Sequence, residues 1–100
     1  MADAPPPPAA PGRGLYWRGL FAKWPADVPR AGFLVTELGE SIQFSGFAVS
    51  GGLLLLQRER PDTLGARKAI VSYDAISAVK LEDPGDLGRY AAMGFQAAAG

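Results

Sequence analysis

Cysteine and histidine are both absent from the 100 residues. Without thiols there is no disulfide framework and no thiolate metal site. Without imidazole the chain lacks the usual general base near neutral pH and the commonest metal ligand. A surplus of charge is missing too: ten Lys plus Arg balance ten Asp plus Glu, whereas a strongly basic nucleic-acid binder carries positive excess. No apolar run approaches the roughly 20 residues that cross a bilayer, so no membrane partner is expected. The opening MADAPPPP has neither the basic start nor the apolar stretch of a signal peptide. These absences lead to the expectation of a soluble cytoplasmic protein with no cofactor and no metal. They also argue against an enzyme: there is no compact carboxylate pair and no phosphate-binding loop, and Glu37, Glu40 and Asp74 read as surface or turn residues.

Proline and glycine are plentiful, at nine and thirteen, so part of the chain is not core. Residues 1–12 form a Pro/Ala-rich tail whose four successive prolines favour polyproline II. It reads as a disordered lead-in, or as a ligand for a proline-binding groove. Residues 13–82 make the domain, and 83–100 a short C-terminal helix and tail. A domain of that size has a marginal core, which oligomerisation commonly remedies.

Within 13–24, Trp17, Leu20, Phe21 and Trp24 recur at i, i+3, i+4 and i+7, the period of one helix face. Gly14 and Gly19 weaken that helix, and Trp24-Pro25 ends it. The stripe suits a core-covering face, with base stacking as the sharper alternative. Strands are expected over 32–38, 41–50, 53–58, 69–73 and 75–81, parted by Gly39-Glu40, Gly51-Gly52 and the loop 59–66. In the second strand Gly46 is placed for a bend or a close backbone approach. The run Leu53 to Leu56 reads as a strand buried on both faces. A last helix over 86–96 would open at Asp86 and present Leu87, Tyr90 and Phe95. Five strands this short, one of them strongly bent, are expected to curl into a small barrel capped by the helix.

The run Ile42-Gln43-Phe44-Ser45-Gly46-Phe47-Ala48 and the run Tyr73-Asp74-Ala75-Ile76-Ser77-Ala78-Val79 resemble the two signatures of the Sm-like (LSm, Hfq-like) family. The resemblance spans residues 13–81. It implies a mainly β fold: an N-terminal α-helix followed by a five-stranded, strongly bent antiparallel Sm-like (SH3-like) barrel. It also implies a homo-oligomeric ring closed by pairing the fourth strand of one copy with the fifth of the next, which removes two exposed edges. The candidate interface residues are then Ala69, Ile70, Val71, Ser72, Ile76 and Val79. The family's cationic pair, however, falls here on Tyr73 and Asp74, an aromatic and a carboxylate that remove attraction to phosphate.

Two non-enzymatic functions follow. One is a ring-forming RNA-binding module, with Arg58, Arg60, Arg67 and Lys68 on phosphates and Tyr73 or Phe47 stacking on bases. The other is a protein-interaction or scaffold module with the same fold, suggested by the zero net charge, by Asp74 and by the Trp17/Trp24 helix face.

Overall fold

The computed structural model describes residues 12–98. The expected proline tail therefore lies, except for Gly12, outside the described residues. The order is α1 (Arg13–Ala22), β1 (Gly32–Thr36), β2 (Ser41–Phe44), β3 (Gly46–Val49), β4 (Leu53–Gln57), β5 (Lys68–Ser72) and β6 (Ile76–Leu81). A 3-10 turn, Tyr73–Ala75, joins β5 to β6, and a second 3-10 helix, Leu87–Met93, follows. The protein is mainly β, with one α-helix ahead of two three-stranded antiparallel sheets of order β2-β1-β6 and β3-β4-β5. No helix among the described residues is long and apolar enough to cross a membrane.

The strand expected over 41–50 is two strands here, which makes six rather than five. The break falls at Ser45, whose amide bonds the Gln57 carbonyl at 2.7 Å, outside the regular register that begins at Gly46 opposite Gln57. The chain thus leaves one sheet and enters the other within a single residue. Gly46 itself is not the crowded point. A side chain there would meet Gln57 only at ordinary contact distance, 3.9 Å or more.

Alternation along each strand builds one core from both sheets. Leu34, Ile42, Phe44, Leu54, Leu56, Val71 and Ile76 are buried together with Phe21, Trp24, Val28 and Tyr73. From α1, Phe21 enters this core and Trp17 and Leu20 pack on its margin. Just past the helix, the Trp24 indole donates to the Val28 carbonyl at 3.1 Å, which satisfies its one polar atom while the ring is buried.

The four leucines of β4 correct a sequence expectation. Leu54 and Leu56 are fully buried, but Leu53 and Leu55 remain 49% and 36% exposed. Only one face of the β3-β4-β5 sheet lies against the core. On the other, Ala48, Leu55 and Ile70 form one cross-strand row, with Leu53 beside it.

Candidate functional site

The hairpin between β4 and β5 holds the cations together. Its register continues past the strands, with the Arg58 amide bonding the Arg67 carbonyl at 2.9 Å. Asp62 organises the tip: its Oδ1 accepts from the amides of Ala66 at 2.8 Å and Leu64 at 2.9 Å. Those amide dipoles hold the Asp62 carboxyl below the usual carboxylate range. The loop is thus fixed, and it sets Arg58 opposite Arg67, one step beyond the pair Gln57 and Lys68. Like charges placed directly opposite repel. Arg58, Arg60, Arg67 and Lys68 make no ion pair among the described residues, whose ion pairs are Arg13 with Glu37 and Arg89 with Asp83. Arg58 instead directs its Nε to the Arg60 carbonyl at 3.2 Å.

The two aromatics assigned to stacking are placed otherwise. Tyr73 is 3% exposed, with its hydroxyl directed to the Ser50 carbonyl at 3.4 Å, and burial pushes its phenol above the usual range. Phe47 lies edge-on between Phe21 and Trp24, each 4.9 Å away, and the Arg30 guanidinium sits 5.4 Å from its centroid. A base stacks on an open face, and neither ring offers one.

An aromatic that sequence reasoning passed over is better placed. Phe33 is 39% exposed on the outer face of the β2-β1-β6 sheet, in the cross-strand row Gln43, Phe33, Lys80. Phe33 alternates with the buried Leu34 along β1, which puts its ring on the outer face. Phe33 and Gln43 line an open cleft with Pro29, Ser45, Arg58 and Arg60, and Glu59 and Glu82 stand at the same cleft. Arg58 and Arg60 therefore meet a partly exposed ring, though not the ring that was named, while Arg67 and Lys68 do not line this cleft.

The candidate interface residues occupy two edges. Among the described residues β5 pairs only with β4, and β6 only with β1. Hydrogen bonds alternate along an antiparallel pair. Since Arg58 and Arg67 are a bonded pair, the amides of Lys68, Ile70 and Ser72 point to the open side of β5. Ile70 is 69% exposed, and Ser72 is exposed as well. Val71 and Ile76 turn their side chains into their own core, while Ala69 and Val79 are half-buried against it. Ala69 and Val71 also turn their backbone groups to β4, so the open side of β5 is offered by Lys68, Ile70 and Ser72 instead.

Asp74 belongs to the scaffold. Its Oδ1 accepts from the Gly14 amide at 3.1 Å, so a carboxylate sits at the N-terminal turn of α1, where its charge complements the helix dipole. No family model, curated protein or solved structure matches this chain.

Proposed function

We propose that the protein is a non-enzymatic, homo-oligomeric Sm-like module that binds single-stranded RNA through the cleft between the Phe33 sheet face and the Arg58–Arg67 hairpin. The observation that carries the reading is the cleft, where unpaired guanidinium groups stand beside a partly exposed aromatic ring. Phosphates would neutralise Arg58, Arg60, Arg67 and Lys68, and a base would stack on Phe33, hydrogen-bonded by Gln43 or Lys80.

Several features support the Sm-like part of the proposal. The helix comes first, the second strand breaks sharply, and the strand order runs β6-β1-β2, then through Ser45 into β3-β4-β5. In this reading the two sheets are one bent sheet whose ends, β5 and β6, are consecutive in sequence. Pairing β5 of one copy with β6 of the next would close a ring and leave no edge exposed.

The outer face of the β3-β4-β5 sheet, with Leu53, Leu55 and Ile70, favours the second reading, a protein-interaction or scaffold module of the same fold. One titration separates the two. A fluorescent uridine- or adenine-rich oligonucleotide is added to the species whose mass in solution has been measured, at several salt concentrations. RNA binding through four phosphate contacts on a single strand gives a log–log salt slope of roughly −3. An assembled species that ignores RNA transfers the function to protein contacts. A monomer at micromolar concentration ends the edge-pairing reading.

A further inference from the structure

The C-terminal segment differs from the rest of the molecule in how it is held. Residues 83–96 make no backbone hydrogen bond to α1 or to any strand among the described residues; those they make, such as Gly94 to Ala91 and Phe95 to Tyr90, are local. Their polar organisation is also internal. The Asp83 side chain, 1% exposed, accepts from the Gly85 amide at 2.9 Å, from Arg89 Nη1 at 3.3 Å and from the Tyr90 hydroxyl at 2.7 Å. One polar tie reaches the body, from Arg89 Nη1 to the Asp27 carbonyl at 3.3 Å.

What remains is apolar contact. Tyr90 and Met93 sit over a groove whose walls are Trp17, Leu20 and Trp24 on one side and Val79 and Leu81 of β6 on the other. They do not fill it: about 190 Å³ stays open between strap and wall. That space is open to solvent, so part of the strap's apolar face and of the groove wall is not covered by side chain. Phe95 lines the groove's margin with Tyr90 and Met93 while remaining half exposed, and Leu87 faces outward.

We infer that residues 83–96 are a strap that leaves and re-enters the groove between α1 and β6 as one unit, held together by Asp83, Arg89 and Tyr90. The strap is the groove's own ligand. When it lifts, Trp17, Leu20, Trp24, Val79 and Leu81 form a continuous apolar strip along β6, beside that strand's open edge. The strap therefore governs whether β6 presents a covered or a bare flank.

Both tryptophans of the chain line the groove, so their fluorescence reports the strap directly. Native-state hydrogen exchange on the unmodified chain comes first. Gly85, Gly88, Gly94 and Phe95 amides are expected to open with one shared free energy, and to exchange at least ~10-fold faster than Leu34 and Leu54. Met93→Asp is then expected to roughly double acrylamide quenching of the tryptophans while the sheet's far-UV signal and its unfolding midpoint hold; Tyr90→Phe does the same more weakly. Exchange of the strap amides together with the strands overturns the inference, because the strap is then ordinary core. So does exchange graded toward the C-terminus, because that is fraying of single residues. Quenching unchanged in both variants overturns it as well.

Discussion

Gly14 gives its amide to Asp74 Oδ1, binding the first turn of α1 to a 3-10 turn that lies 60 residues further along the chain. The contact needs glycine. A Cβ on residue 14 would collide with Asp74 Oδ1 and come within 3.0 Å of the Asp74 backbone nitrogen. Gly14→Ala is expected to destabilise by about 1–3 kcal/mol, the range for forcing one extra carbon into a packed site. Asp74→Ala costs about 1 kcal/mol through the lost cap. The double variant should cost less than the sum, because removing the carboxylate removes most of the collision. Urea unfolding of the four chains measures this, and strict additivity would refute the contact.

Gly46 gives the opposite result. Its nearest obstruction is Gln57 Oε1 at 3.9 Å, and its φ is not positive. Gly46→Ala is expected to leave stability within about 0.5 kcal/mol or to raise it by up to roughly 1 kcal/mol, because alanine restricts the unfolded chain. A loss of several kcal/mol would instead restore Gly46 as the point of the bend.

The contrast between these two glycines shows what the sequence made legible. Period two is legible along each strand: Leu34, Ile42, Phe44, Leu54 and Leu56 fall on alternating positions, and that face is the core. It could not say which face a single chain leaves uncovered, so Leu53 and Leu55 were read as buried. Gly14 looked like a helix-weakening residue because its partner is remote in sequence, and no local pattern encodes that contact. Tyr73 and Phe47 were assigned to RNA for their chemistry. Their burial depends on α1 folding across the sheets, which composition does not reveal. Arg58, Arg60, Arg67 and Lys68 were grouped because they flank one short loop, which is a statement about sequence proximity; of the four, Arg58 and Arg60 line the cleft with Phe33.

The open side of β5 can be tested without disturbing the hairpin. Ile70 directs its amide away from β4, so Ile70→Pro removes no hydrogen bond from that ladder while blocking a partner strand. The variant is expected to keep its sheet signal by circular dichroism and to sediment as a monomer. An unchanged assembly would place the interface elsewhere.

Asp83 sets a pH limit on the strap. The Tyr90 hydroxyl above all, then the Gly85 amide and Arg89, hold its carboxyl below the usual carboxylate range. A carboxyl depressed in the folded state stabilises that state above its unfolded pKa, and the contribution disappears as pH falls through the folded value. Tryptophan emission is therefore expected to hold from neutrality to about pH 4 and to shift red below it. Asp62 is depressed as well, but its partners lie in the β4–β5 loop, away from both tryptophans. Tyr90→Phe removes the largest cause and should flatten the transition; a profile identical to that of the unmodified chain would exclude Asp83 as its origin.

Arg67 offers the test in which stability and binding oppose each other. Arg58 and Arg67 face one another with no carboxylate in ion-pairing range, an arrangement that repels in the free protein and suits an anion between them. Arg67→Glu turns the repulsion into a cross-strand pair, and it is expected to raise stability by about 0.2–1 kcal/mol. The same change should weaken oligonucleotide binding and make the salt slope less steep by roughly 0.7, the value for one lost phosphate contact on a single strand. A purely structural role for Arg67 predicts the reverse, a less stable chain with binding lost only through unfolding. A chain that gains stability and keeps its affinity would take Arg67 out of the binding surface and leave Arg58 and Arg60 to hold the cleft.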